Sequence, residues 1–279
     1  MDNAADRLME GGDELGRTDA LLVSRGGQIV LERYGPEIDE STTLRSWSMA
    51  KSMLHAAVGI LVDRGELNPD LPAAVPEWSA SGDPRSGITL WDLLRMRPGL
   101  KWNEDYVDGE GSDVIEMLFA REWDPVADTG GYAADKPLAA PPDTVLNYSS
   151  GTSNIVSRIV RDVVGRGDDY ETWLRQELFG PLGMASAAPR FDEVGTWIAS
   201  SYCFCTARDF AKFGELYRHD GVTAEGERVL PEGWADHGRT QVAHDPTDDL
   251  EHGFGYGRHW WMWPQYPRSM AAHGYEGQF

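Results

Sequence analysis

Ser48 and Lys51 stand three residues apart at the start of an apolar run over 47–65. That spacing puts both side chains on one face of a helix, one turn apart. A serine hydroxyl is a weak nucleophile until a neighbouring base takes its proton. A lysine amine can be that base when burial lowers its pKa. The chemistry this pair could do is acyl transfer, with Ser48 attacking and Lys51 holding the proton. Of the four lysines, Lys51, Lys101, Lys136 and Lys212, only Lys51 has a serine three positions before it. The plain alternative is a serine near a helix N-terminus with a solvated lysine one turn on, and a tetrad this short does not decide between them.

Later segments carry groups that could complete a site. Asn147-Tyr148-Ser149-Ser150-Gly151 offers a phenol and two hydroxyls. Tyr148 is either a proton carrier or a buried aromatic in a turn entering a helix. Ser150 is either a site hydroxyl or the N-cap of a helix beginning near 153, and one hydroxyl could serve both. Ala271-Ala272-His273-Gly274-Tyr275-Glu276-Gly277-Gln278 follows near the end. Gly274 there permits close backbone approach or marks a bulge. Trp102-Asn103-Glu104-Asp105-Tyr106 contributes Tyr106, as a pocket residue or an ordinary surface aromatic.

Taken in order, these segments resemble the serine β-lactamase-related hydrolases. Ser48-Met49-Ala50-Lys51 is similar to the family's first box. Tyr148-Ser149-Ser150 resembles its Tyr-x-Asn box, with Ser150 in place of Asn. Ala272-His273-Gly274 resembles its Lys-Thr-Gly box, and a shifted register would put His273 in the lysine place. Leu93-Leu94-Arg95-Met96-Arg97-Pro98-Gly99-Leu100, Pro181-Leu182-Gly183-Met184 and Cys205-Thr206-Ala207-Arg208-Asp209-Phe210 are similar to further segments of the family. The nearest resemblance is to the family VIII esterases and the 6-aminohexanoate-dimer hydrolases.

That resemblance implies roles. Ser48 would form an acyl-enzyme, Lys51 would hold its proton, and Tyr148 would relay it to the leaving group. The backbone N–H groups of Ser48 and Tyr275 would form the oxyanion hole. Tyr106 would reach an amide leaving group. Ala272 in the cationic place and Ser150 for Asn weigh against β-lactam substrates, whose carboxylate that cation would bind. The expected substrates are carboxylic esters or short linear amides such as 6-aminohexanoate oligomers. The alternatives are a β-lactamase or D-aminoacyl peptidase, and a catalytically silent binder of the same fold. No cofactor is expected.

Composition narrows the class. The chain has 279 residues, 41% of them hydrophobic and 10% aromatic, which fits a globular protein with a large core. A net charge of −21 disfavours nucleic acid and anionic membrane as partners. No apolar run is long enough to span a membrane. The acidic start Met1-Asp2-Asn3 lacks a basic, apolar leader, so a cytoplasmic protein is expected if Met1 is the true start. Cys203 and Cys205 read as small, half-buried strand residues on one face, not as a disulfide or metal pair. Seven histidines show no paired ligand spacing, so no metal is expected.

Strands are expected at 20–24 and 28–33, joined by a turn at Arg25-Gly26-Gly27, and again at 253–263 and 268–274. Helices are expected at 47–65 with one apolar face, and at 89–96, 112–120, 153–164, 170–179 and 206–218, the last capped by Thr206. The stretch 124–144 reads as an irregular connection. Trp261 and Trp263 alternate against Trp260, as core or pocket wall. The fold class that results is α+β: an antiparallel sheet flanked by helices (1–67 and 206–279), with a mostly helical domain inserted over 68–205. The site would fall at their junction. In the resembling family the third box is followed by further strands and a helix, so an unstable or aggregation-prone chain is also expected.

Overall fold

The structure is a computed structural model that describes residues 2–12, 16–106, 111–120, 124–242, 253–266 and 268–279. Its helices are α1 Asp2–Glu10, α2 Met49–Asp63, α3 Leu90–Leu94, α4 Asp113–Phe119, α5 Thr129–Ala134, α6 Ser150–Val164, α7 Asp168–Leu174, α8 Ala207–Arg218 and α9 Trp234–Gly238. Its strands are β1 Ala20–Arg25, β2 Gln28–Tyr34, β3 Leu44–Arg45, β4 Ala188–Pro189, β5 Cys203–Cys205, β6 Gly255–Tyr256 and β7 Trp261–Met262. Every strand pair is antiparallel: β1 with β2, β5 between β3 and β4, and β6 with β7. The fold is α+β, as expected. The strands form three small sheets among the described residues rather than one.

Local chemistry accounts for the helix boundaries. Thr89 and Asp92 form a reciprocal capping box at α3. Ser112 caps α4, and Thr206 caps α8 by accepting from the Asp209 N–H. Asp128 caps α5, a helix inside the stretch expected to be irregular; the short, glycine-bearing Thr129–Ala134 carries too little periodicity to announce itself. Helix α6 begins at Ser150, three residues earlier than expected. Ser149 is its cap, accepting from the Thr152 N–H at 2.9 Å, so the capping role weighed for Ser150 belongs to its neighbour.

Helix α2 corrects the expectation of one apolar face: every residue from Met49 to Leu61 is buried. The enclosed span takes in Lys51, Ser52 and His55 along with the apolar positions, so the helix has no solvent face there. Gly59 makes this possible, because a Cβ there would stand 2.5 Å from the Trp234 indole nitrogen. The helix stops at Gly65, whose φ of 69° supplies the left-handed turn that L side chains resist.

One buried cluster runs from Ala50 in α2 through α3, α4 and α6 to Phe213 in α8 and Trp260. His259 ties its parts together. Its carbonyl accepts from Ser52 Oγ of α2 at 2.7 Å, and its ring nitrogens meet Leu94 O at 3.1 Å and Ser153 Oγ of α6 at 3.0 Å. The Leu94 carbonyl only accepts, so Nδ1 carries the proton and Nε2 accepts from Ser153.

Near the end, the strands expected over 253–263 and 268–274 shrink to the β6–β7 hairpin and a single bridge between Trp261 and Ala271. Gly274, Glu276 (φ 64°) and Gly277 (φ 84°) turn the chain so that the Gly274 N–H bonds Gln278 O at 2.9 Å. The third segment is therefore a tight turn, not a strand. Cys203 and Cys205 are free thiols on one face of β5, 3.7 Å apart, and fully buried rather than half-buried. No helix among the described residues is long and apolar enough to cross a membrane.

Candidate active site

Ser48, the candidate nucleophile, is positioned by the turn ahead of α2. Arg45 of β3 pairs with Phe204 of β5, and Ser46 continues that contact: its N–H donates to Cys203 O at 3.1 Å, and its hydroxyl accepts from the Cys203 N–H at 2.9 Å. Trp47 follows at φ 45°, a conformation that costs a bulky residue on the order of 1–3 kcal/mol and persists only where the surroundings impose it. Ser48 then opens α2 with αR dihedrals and no capping bond from its side chain, which leaves its hydroxyl free for other partners.

Lys51, one turn on, is only 2% exposed. Its Nζ lies 2.8 Å from Ser48 Oγ, 3.1 Å from Ser150 Oγ and 2.9 Å from Ser200 O. It also sits 4.9 Å from the centre of the Tyr148 ring. Burial lowers the Lys51 pKa to about 8, against the opposing pull of the Glu104 carboxylate. A lysine at that value is a usable base near neutral pH, which removes the solvated-lysine alternative.

Glu104 is the site residue that the sequence did not single out. Its Oε1 accepts from Ser150 Oγ at 2.5 Å, and its Oε2 accepts from the Ser150 N–H at 2.8 Å and Trp102 Nε1 at 2.5 Å. Burial raises its pKa, while the Lys51 charge and these donors oppose the rise. Three donors and no acceptor converge on it, so we assign it as the carboxylate. The signal available in the sequence, an acid two residues before Tyr106, has no chemical meaning until Ser150 is brought beside it.

Two aromatic groups flank the Ser48–Lys51 pair. On one side, Trp47 meets Tyr106 at 6.4 Å and Tyr275 at 5.6 Å, both edge-on, and Tyr106 stacks on Tyr275 at 4.5 Å. Desolvation raises the Tyr106 pKa, which keeps its phenol protonated. On the other side, Tyr148 packs on Trp261 at 5.2 Å and Tyr256 at 5.6 Å. Trp261 is thus beside Tyr148, while Trp260 lies in the core.

Ser48, Lys51, Tyr148, Ser150 and Tyr106 come together, and Gly274 and Tyr275 close on them from the end of the chain. His273 stands further out, stacked on Phe279 at 4.5 Å and edge-on to Trp261 at 6.3 Å. Ala272 packs against the core. Among the described residues, no group of three or more His, Cys, Asp or Glu could hold a metal ion.

Comparison with known proteins follows the same lines. A family model described as Beta-lactamase matches residues 1–279. The 6-aminohexanoate-dimer hydrolase of Paenarthrobacter ureafaciens is 30% identical over 276 residues, covering 94% of this chain and 68% of that protein. Penicillin-binding protein 4 of Amycolatopsis lactamdurans is 30% identical over 275 residues, covering 87% of this chain and 68% of that protein. Among solved structures, a Bacillus anthracis protein assigned as a 6-aminohexanoate-dimer hydrolase matches with a TM-score of 0.73 at 22% identity, over 88% of this chain and 65% of that one. The octameric penicillin-binding protein homologue from Pyrococcus abyssi matches with a TM-score of 0.67 at 18% identity, over 91% of this chain and 64% of that one. The chain therefore spans about two thirds of the length of these proteins.

Proposed function

This chain belongs to the beta-lactamase family of serine hydrolases, and we propose that it cleaves carboxylic esters or short linear amides through an acyl-enzyme on Ser48. The observation that carries this reading is the 2.8 Å contact between Lys51 Nζ and Ser48 Oγ in a buried setting. The relative named 6-aminohexanoate-dimer hydrolase supports the amide side of it.

In the proposed reaction, neutral Lys51 takes the Ser48 proton as Oγ bonds to the acyl carbon. The oxyanion is held by the backbone N–H groups of Ser48 and Tyr275, donors typically worth about 3–4 kcal/mol each in such sites. The tetrahedral adduct collapses, the bond to the leaving group breaks, and Tyr148 relays the proton from Lys51 to that group. Water, deprotonated along the reverse path, then releases the acid and frees Ser48. Tyr106, on the Trp47 side, would hydrogen-bond an amide leaving group.

A second reading, acylation by β-lactams, is favoured by the relative named as a penicillin-binding protein. The uncharged Ala272 weighs against it, since nothing cationic stands there to meet the β-lactam carboxylate. One experiment tests both. The protein is incubated separately with a fluorophosphonate, p-nitrophenyl butyrate, a linear 6-aminohexanoate dimer and a chromogenic cephalosporin, followed by intact-mass spectrometry and turnover assays beside Ser48→Ala. A single fluorophosphonate adduct absent from Ser48→Ala, with ester or amide turnover, is expected. Cephalosporin turnover outrunning both would transfer the assignment to the second reading. A folded protein that takes no adduct at all would point to a silent binder.

A further inference from the structure

We infer that Glu104 is a positioning residue that fixes the direction of the proton path, by forcing the lone pair of neutral Lys51 toward Ser48. The inference rests on the acylation reading above and adds a residue and a role to it.

The argument is a count of hydrogens. Protonated Lys51 has three N–H groups and three acceptors: Ser48 Oγ, Ser150 Oγ and Ser200 O. When the amine loses one proton, one of these contacts must reverse, because the nitrogen now accepts. Ser200 offers a carbonyl oxygen, which has no hydrogen to give. Ser150 has one hydroxyl hydrogen, and at 2.5 Å it is committed to Glu104 Oε1. Among these three partners only the Ser48 hydroxyl is left to donate. The base is thereby aimed at the nucleophile by elimination.

Glu104 cannot easily release Ser150. Its other oxygen is held by the Ser150 N–H and by Trp102 Nε1. Asn147 steadies the Trp102 backbone, with Nδ2 donating to Trp102 O at 3.2 Å. The other titratable groups around this cluster are Tyr148, whose ring Lys51 covers, Tyr106, whose phenol meets the Ser150 hydroxyl and is kept protonated by desolvation, and His259, which burial holds neutral with a pKa of about 3. None of them offers the Ser150 hydroxyl an alternative carboxylate.

Glu104→Gln tests this with an isosteric change. The amide oxygen must take the place of Oε2, where two N–H groups converge, so the amide nitrogen faces Ser150 Oγ. Donor then meets donor. The Ser150 hydroxyl turns away and donates to Lys51 instead, occupying the lone pair that Ser48 needs. General-base assistance is commonly worth about a hundredfold or more. The expected loss in fluorophosphonate labelling rate and in kcat of ester hydrolysis is about tenfold to a hundredfold, with KM little changed. Loss of the carboxylate charge also moves the ascending limb of the pH–rate profile to lower pH, a shift that general damage to the fold would not produce.

The deciding arm is Glu104→Gln combined with Ser150→Ala. With no hydroxyl to turn, the double variant should recover activity above Glu104→Gln alone and match Ser150→Ala. Losses that simply multiply, or a Glu104→Gln protein that labels at the wild-type rate, would overturn the inference while leaving Ser48 acylation standing. If Glu104→Gln does not fold, the comparison falls to Glu104→Asp. That variant keeps an acceptor for Ser150 and should label faster than Glu104→Ala; equal rates for the two would also overturn the inference. A wild-type protein that never acylates would sink this inference and the functional reading together.

Discussion

Gly274 lies directly against Ser46: a Cβ at position 274 would stand 2.7 Å from the Ser46 carbonyl oxygen and 3.0 Å from the Trp47 Cβ. The Gly274 segment is thus pressed onto the turn that leads into Ser48. A side chain at 274 would push this segment, with Tyr275, away from that turn.

Gly274→Val should therefore open this contact. The expected result is a loss of kcat of about tenfold or more, with the melting temperature changed by only a few degrees, since the segment is peripheral to the main core. Wild-type kcat in a Gly274→Val protein would show that Tyr275 takes no part in the oxyanion site.

The pH dependence of kcat/KM should follow Lys51. Its folded pKa is lowered from 10.5 to about 8 by burial, and the base must be neutral. Activity should rise with pH through about 8 and then level. Ser48→Ala and Lys51→Ala should both abolish turnover and still melt cooperatively. A flat profile from pH 6 to 9 would remove Lys51 as the base.

Stability should fall in acid through His259 and His55. Both are buried, and desolvation lowers the His259 pKa to about 3 and the His55 pKa well below 6.5. The unfolded chain takes up their protons below about 6.5 while the fold does not, so each histidine costs about 1.4 kcal/mol per pH unit on descending from there. Denaturant midpoints measured from pH 7 to 4 should show this slope, reduced by one proton's worth in His259→Gln. A wild-type midpoint unchanged over that range would contradict the assignment of both as neutral.

Gly151 marks a tight crossing. A Cβ there would lie 2.5 Å from the Trp102 ring and 2.8 Å from the Ala133 Cβ. Gly151→Ala should destabilise by about 1–3 kcal/mol as an overpacked site. It should also slow catalysis, because Trp102 carries a hydrogen bond to Glu104. Urea denaturation and ester turnover on the same sample check both effects, and an unchanged kcat would separate Trp102 from the site.

Much of this was legible in the sequence because it is local. Residues three apart on a helix share a face, so the Ser48–Lys51 pair could be read from spacing alone. Thr206 announced the start of its helix because a cap bonds groups two or three residues on, whereas the caps at Thr89 and Ser112 came to light in the structure. The β1–β2 hairpin followed from two strand-like runs on either side of Gly26 and Gly27. Helix α5 and the start of α6 were less visible: a six-residue helix has almost no period, and Ser149 and Ser150 are chemically the same until one of them is seen to cap.

The sequence by itself determined which serine and which lysine face each other, because one helical turn dictates that contact. Only the tertiary structure decided that the lysine is buried, that Ser150 stands between it and a carboxylate, and that this carboxylate is Glu104. Those bonds join residues 99 and 46 positions apart. They exist because α2, α6 and the Trp102–Tyr106 segment pack around one core, and no local pattern encodes which of the many acids of the chain that packing turns inward.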